Sequence, residues 1–375
     1  MKSKLSRDSN YELLRTLSMF FIVIWHIIQH GQLLEHTTGF SNMIFNMIMF
    51  FIIIHVNCFM LITGYYQSKS RFNLNRFISY ILQIWFYNFT ITSVLSLCGI
   101  IQINYSDYLI NTSFFNIKTY WYINCFLIIY LLSPFLNSFI DKITKKELKK
   151  LIILMIFCFS VIPFFSGNLF YEETGYTITQ HLLMYFIGAY IRKYNFDISI
   201  LKNYNSIQKK ITYILIFIVF WLINVMLYYF QQYLGQIDGD LCNYIAGKIG
   251  MYKYFYNSPI VIIQSVAIFL LFGKFELKSK IINTISSTTL GIYLIHENIY
   301  IKNNLYKWIG VYTGKIIYGN SIIVKVIMYA IIIFTGCAII ELVRKILFHM
   351  ISKLKISKKA NEKFQSIIKK ICEIH

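Results

Sequence analysis

Residues 43–66 read MIFNMIMFFIIIHVNCFMLITGYY, a run of 24 residues that contains no Asp, Glu, Lys or Arg. A helix of about 20 mainly apolar residues crosses the hydrocarbon core of a bilayer. The runs at 77–101 and 321–348 are at least as long. Of the 375 residues, 57% are hydrophobic and 14% are charged, whereas soluble domains carry roughly 25% charged residues. The pattern predicts an all-α, polytopic integral membrane protein and excludes a soluble domain.

Working outward from this run, hydrophobicity predicts about ten transmembrane helices joined by short loops. The sixth and ninth are short and polar. The predicted spans are 11–31, 43–66, 77–101, 121–140, 148–166, 178–192, 211–234, 258–273, 284–301 and 321–348. We find no linker or internal repeat, so residues 1–348 are interpreted as one ten-helix membrane domain. Residues 349–375 mix Lys with apolar residues at helical spacing, which predicts a basic amphipathic tail on the cytoplasmic face.

The formal net charge of +20 suggests membrane topology rather than nucleic-acid binding. Of the 36 Lys and Arg residues, 28 fall in the alternate segments that would face the cytoplasm and 6 in the other loops. Cytoplasmic loops carry an excess of Lys and Arg. We therefore predict that both termini are cytoplasmic and that the protein is multi-pass in the cell membrane. Oligomeric state leaves no signature in the sequence.

The seven cysteines are scattered, mostly inside apolar runs, and form no CxxC pair. They indicate neither a metal site nor a disulfide framework. The helices also contain no carboxylate that we place centrally, as a proton-coupled carrier would require.

The first helix carries the best candidates for chemistry. Arg15 and His26 are eleven residues apart, and eleven steps of about 100° return to within roughly 20° of the same helix face. His26 would lie about 16 Å further along the axis than Arg15. Ionisable groups inside a span are costly and often functional. The alternative is that Arg15 extends to lipid phosphate while His26 is a packed core histidine.

Four segments, in order, resemble the membrane acyltransferase-3 family. They are NYELLR at 10–15 followed by WH at 25–26, LITGYY at 61–66, WYI at 121–123 running into LLSPFLN at 131–137, and GIYLIH at 291–296. The family consists of ten-helix O-acyltransferases whose first helix carries an Arg or Lys, ten residues and a His. The resemblance spans residues 10–296.

The resemblance implies transfer of an acyl group, with acetyl as the default, from cytoplasmic acyl-CoA to a sugar hydroxyl on a lipid-linked or exported glycan. Acyl-CoA would be a donor substrate, with no cofactor bound permanently. His26 would be the catalytic general base, and Arg15 would position the reactants or face the donor. Whether Glu12 or Glu35 orients the imidazole is left open by the sequence.

The same resemblance implies further binding residues. Arg71 and Arg76 would bind the phosphates of acyl-CoA, although their spacing departs from the family's commoner Arg-x-x-Arg and ordinary positive-inside charge is an equal alternative. Gly64 and Tyr65, in the second motif, are predicted to be near the donor. Trp121, His296 and Glu35 are predicted to contact the acceptor, and the alternative for His296 with its neighbour Glu297 is a helix end among lipid headgroups.

Two other functions fit the sequence less well. A non-enzymatic transporter or flippase of a lipid-linked glycan would favour inverted repeats and broken helices, and we find no such repeats. A glycan polymerase or glycosyltransferase would need acids or Arg in sizeable outer loops, and the predicted outer loops contain no Arg.

Overall fold

The structure is a computed structural model that describes residues 8–113, 120–163, 174–196, 201, 203–252, 255–308 and 322–352. These residues form helices, and no strand occurs among them. The helices are α1 Ser9–His30, α2 Leu33–His36, α3 Gly39–Ile52, α4 His55–Gln67, α5 Leu74–Leu97, α6 Tyr105–Thr112, α7 Trp121–Lys142, α8 Lys145–Ile156, α9 Ile178–Tyr194, α10 Ser206–Leu234, α11 Asp240–Tyr252, α12 Pro259–Phe272, α13 Lys280–Ser286, α14 Thr289–His296, α15 Ile299–Trp308 and α16 Ile322–Ser352. A π-helical turn, Phe157–Val161, extends α8.

Six helical segments of the described chain are long and apolar enough to cross a membrane. They are Ser9–His30, Gly39–Gln67, Leu74–Leu97, Trp121–Lys142, Ser206–Leu234 and Ile322–Ile351. The other predicted spans correspond to shorter helices: α8, α9, α12 and the group α13 to α15. Most of the predicted tail lies outside the described residues, and its first residues continue α16 as far as Ser352.

Two predicted spans are broken where the sequence suggested one helix. The span 43–66 is interrupted at Ile53 and Ile54, between α3 and α4. There His55 Nδ1 lies 2.6 Å from the carbonyl oxygen of Ile52, so a side-chain N–H satisfies a carbonyl beside the break. The span 284–301 is divided among α13, α14 and α15. Hydrophobicity cannot detect such breaks, because apolar residues continue through them.

α1 lies at the centre of the bundle and contacts α2, α3, α4, α12, α13, α14 and α16. The buried apolar residues form two large clusters that divide along it. Tyr11 and Leu14 belong to one cluster, whereas the residues from Met19 to Ile28 that face the interior belong to the other. The two clusters therefore meet on α1 between Leu14 and Met19.

Close backbone contact joins α4 to α9, the most extensive helix pair in the described chain. A Cβ atom added at Gly64 would lie 2.2 Å from the carbonyl oxygen of Tyr185, and one added at Gly188 would lie 2.4 Å from that of Leu61. Small residues allow helix backbones to approach closely in membranes. Gly64 and Gly188 are thus required where these two helices cross.

Candidate active site

His26 lines a cavity of about 180 Å³ in the interior of the bundle. Its side chain is 12% exposed. The cavity walls are mainly aromatic and include Trp25, Trp121, Tyr176 and Tyr256. Trp121 begins α7, and its ring stacks on Tyr256 with the centroids 5.9 Å apart. A sugar ring or a short acyl group would therefore meet flat apolar faces around the imidazole.

The protonation of the two central imidazoles follows from their neighbours. His296 Nδ1 lies 2.6 Å from the carbonyl oxygen of Ile292, so this nitrogen carries the proton and donates it. In the neutral ring His296 Nε2 is then an acceptor, and it lies 3.0 Å from His26 Nδ1. A carboxylate oxygen of Glu297 lies 3.1 Å from the same His26 nitrogen. His26 Nδ1–H consequently donates to His296 Nε2, with the Glu297 carboxylate close beside it, which leaves His26 Nε2 with a free lone pair.

Glu297 directly follows α14 and brings charge to the imidazole. It is 7% exposed, and its Oε1 accepts a hydrogen bond from Lys302 Nζ at 2.8 Å. The other oxygen, Oε2, faces His26 and lies 3.4 Å from His30 Nε2. A carboxylate in this position fixes the tautomer of His26 and would stabilise the imidazolium that forms when Nε2 accepts a proton.

A second cavity, of about 430 Å³, lies toward the beginning of α1. Its lining includes three cations, Arg15, Arg344 and Lys345, and no carboxylate. The serine hydroxyls of Ser286 and Ser287 also line it. Arginine and lysine are the side chains that most often bind anions such as phosphate in proteins.

Buried carboxylates outside the lining contact all three of these cations, since Lys345 Nζ also lies 3.8 Å from Glu341 Oε1. Glu341, which is fully buried, accepts hydrogen bonds from Arg344 Nε at 2.8 Å and from Arg344 Nη2 at 2.7 Å. Glu12 accepts from Arg15 Nη1 at 2.7 Å and also from the hydroxyl of Ser286. Lys345 Nζ donates to the hydroxyl of Ser287 at 2.8 Å. The positive groups are therefore positioned by the protein before any ligand enters.

Three cavities follow one another along α1. The cationic cavity and the His26 cavity share Ile22, Tyr122 and Tyr293 in their walls. A third cavity, of about 270 Å³, continues beyond His26 and contains Gln32 and Glu35. It shares Trp25, Gln29 and Tyr176 with the His26 cavity. His26 therefore lies between a cationic compartment and a polar, aromatic one.

Comparison with known protein families identifies the family of this chain. The sequence model of the Acyl_transf_3 family, described as an acyltransferase domain, matches residues 8–342. The chain belongs to the acyltransferase-3 family. No curated protein and no solved structure matched this acyltransferase.

In this acyltransferase, the two loop arginines lie outside the cavity walls. Arg71 and Arg76 are exposed, and neither lines any of the three cavities. Arg76 nevertheless begins a stripe on α5, because the cavity-lining residues Ser79, Tyr80 and Gln83 follow it at steps of three, four and seven. It therefore stands about one helical turn from the cationic cavity, on the same face of α5.

Gly64 and Tyr65 contact a neighbouring helix and do not line a cavity around α1. Gly64 lies against the backbone of α9, and the hydroxyl of Tyr65 accepts a hydrogen bond from Arg192 Nη1 at 2.9 Å. Neither residue lines the three cavities around α1. Their predicted contact with the donor stays a prediction.

Of the residues predicted to contact the acceptor, two lie beside His26 and one lies in the next cavity. Trp121 lines its cavity and His296 contacts its ring, whereas Glu35 lines the third cavity. Glu12 contacts Arg15, and Glu35 makes no contact with His26 within the described chain. Of the two acids considered for orienting His26, neither occupies that position, and Glu297 does.

Glu341 and Arg344 were not among the residues predicted from the sequence, and Arg344 lines the cationic cavity. The sequence indicated no carboxylate placed centrally in the helices, and Glu341 of α16 is fully buried among them. The available signal was an acid inside an otherwise apolar helix, three residues before an arginine.

Proposed function

We propose that this acyltransferase moves an acyl group, acetyl by default, from cytoplasmic acyl-CoA to a hydroxyl of a cell-envelope or exopolysaccharide sugar. In this proposal ten helices cross the cell membrane and both termini are cytoplasmic. The observation that carries it is the row of three cavities along α1, with cations at one end and His26 in the middle.

The general base of the reaction is His26. Its free Nε2 takes the proton of the sugar hydroxyl while the oxygen attacks the thioester carbonyl carbon. The tetrahedral intermediate collapses with cleavage of the carbon–sulfur bond. The departing CoA sulfur receives the proton from the imidazolium, so the products are the sugar ester and CoA thiol. Glu297, 3.1 Å from His26 Nδ1, stabilises the imidazolium between these steps.

The donor enters from the end of the bundle that carries the arginines. Its nucleotide phosphates lie near Arg71 and Arg76 at the surface, and its pantetheine arm extends through the cationic cavity toward His26. Arg15 and Arg344, together with Lys345, line that path. Guanidinium groups suit phosphate because they offer paired N–H donors in a plane.

The acceptor approaches from the other end, through the cavity that contains Glu35 and Gln32. Amide and carboxylate groups there can hydrogen-bond sugar hydroxyls. Trp25 and Tyr176 line both this cavity and that of His26, so their rings would contact the sugar along the way. Trp121 forms part of the wall at the reacting position.

Replacing both loop arginines, Arg71→Ala with Arg76→Ala, is expected to raise the KM for acyl-CoA by at least about tenfold, because hydrogen bonds to charged groups contribute about 1.5–3 kcal/mol. The kcat should change little, since neither side chain reaches His26. Initial rates measured against donor concentration in purified protein test this. The matched control removes two exposed lysines of α8, Lys146→Ala with Lys150→Ala, and should leave KM unchanged. An equal KM in both double variants would refute the role of the arginines.

Sided reconstitution tests the proposed function itself. Purified protein is placed in vesicles that contain envelope glycan, and labelled acyl-CoA is supplied on one face at a time. We expect labelled glycan ester only when the donor is on the face that carries Arg71 and Arg76. If glycan crosses the vesicle membrane and no ester forms with the donor on either face, the protein is a transporter and the proposal fails.

A further inference from the structure

Four potential metal ligands converge at the end of α1. His26 and His30 are four residues apart on one helical face, and His296 and Glu297 approach them from the end of α14. His26 Nδ1 lies 3.0 Å from His296 Nε2 and 3.1 Å from Glu297 Oε2. His30 Nε2 lies 3.4 Å from the same carboxylate oxygen. The ligand atoms of His26, His296 and Glu297 all lie within 4.8 Å of one another.

These separations match the spacing of ligands around a small ion. Zn²⁺ binds histidine nitrogen and carboxylate oxygen at about 2.0–2.2 Å in tetrahedral sites, which puts neighbouring ligand atoms roughly 3.3–3.5 Å apart. The two contacts of His26 Nδ1 need to open by only a few tenths of an ångström, and the contact between His30 Nε2 and Glu297 Oε2 already has this length. Histidine and carboxylate are also the ligand types that borderline transition metals accept.

Two further features favour a metal over a purely hydrogen-bonded cluster. His30 Nε2 and Glu297 Oε2 are buried, and neither has a hydrogen bond of acceptable geometry in the described chain. His296 donates its other ring nitrogen to the carbonyl oxygen of Ile292. Histidine ligands of metals usually donate the second N–H in this way, which directs the free nitrogen at the ion.

We propose that His26, His30, His296 and Glu297 bind one divalent transition metal ion of the zinc class, and that the bound ion inhibits acyl transfer. The inhibition, unlike the metal binding, rests on the proposed function. Lys302 contacts Glu297 through Oε1 and leaves Oε2 for the ion. When Nδ1 of a neutral imidazole holds a metal, its proton is on Nε2. His26 then has no lone pair for the sugar hydroxyl, and Glu297 is withdrawn from orienting it.

Binding is tested with purified protein from which any affinity tag has been removed. Titration with Zn²⁺ by calorimetry, and with Co²⁺ by its ligand-field absorption, should show one tight site per chain. Even groups that only orient metal ligands change affinity 10–100-fold, so His296→Gln and, separately, His30→Gln should each weaken binding by at least about tenfold. The control is His36→Gln, which removes an exposed histidine of α2 and should not alter affinity.

His30→Gln and His296→Gln test the site independently, so the test remains if one of them misfolds. Size-exclusion profiles identify which variants are folded. Undiminished Zn²⁺ affinity in folded His30→Gln or His296→Gln would overturn the metal site. In the activity arm, Zn²⁺ should suppress acyl transfer by wild type and a chelator should restore it. Full activity with the site saturated would overturn the inhibition. Absence of transfer by metal-free wild type would instead refute the proposed function, and the binding result would stand.

Discussion

His26→Gln is expected to lower kcat for acyl transfer by between about 10²-fold and 10⁴-fold, the usual contribution of a positioned general base. Glutamine keeps hydrogen-bonding capacity toward Glu297 but has no group that can accept and later return a proton. The proposed donor contacts lie in the adjacent cavity, so KM for acyl-CoA should change by less than about threefold. Loss of kcat at constant KM identifies an interaction made only in the transition state.

The measurement is a set of initial rates with purified wild type and variant at saturating acceptor. His36→Gln is the matched control, because His36 is exposed on α2 and belongs to none of the three cavities. It should retain the wild-type rate. A kcat for His26→Gln within threefold of wild type would show that proton transfer at this ring does not limit the reaction.

Gly188→Ala is expected to destabilise the bundle, and Gly188→Leu to prevent its assembly. The added Cβ would lie 2.4 Å from the carbonyl oxygen of Leu61 and 2.9 Å from the backbone nitrogen of Tyr65. Backbone atoms cannot rotate away, so α4 and α9 must separate. Overpacking of this kind costs about 1–3 kcal/mol, and the thermal midpoint of the alanine variant should fall by several degrees.

Thermal aggregation of detergent-solubilised protein, followed by size exclusion, measures this effect. The chain supplies a matched control in Gly336, also inside a helix, where an added Cβ would meet nothing within 4 Å. Gly336→Ala should be neutral or slightly stabilising, since alanine has a higher helix propensity than glycine. Equal midpoints for the two alanine variants would contradict the close contact between α4 and α9.

Local patterns in the sequence predicted much of the fold and the part of the site that lies on α1. Long apolar runs predicted membrane helices, and six helical segments of sufficient length are present in the described residues. The spacing of Arg15 and His26 predicted one face of α1, and both residues line adjoining cavities on it. These features depend on helical periodicity, which neighbouring residues alone determine.

The acidic residues of the site, Glu297 and Glu341, are positioned by contacts between segments that are distant in the sequence. Glu297 reaches His26 because α14 ends beside α1, some 270 residues further along the chain. Glu341 fits beside Gly291, where an added Cβ would lie 2.5 Å from a carboxylate oxygen. No local pattern reports such proximity, so the sequence could not choose between Glu12 and Glu35 or identify Glu297.

The most direct test compares the envelope glycan of cells that express wild type or His26→Ala at equal membrane levels. Base-labile acyl ester on the surface glycan should be present with wild type and lost with the variant, while the amount of surface glycan stays the same. Undiminished ester in the variant would contradict the role of His26. Loss of the glycan itself from the surface, with its chemistry unchanged, would contradict acyl transfer and indicate a transporter.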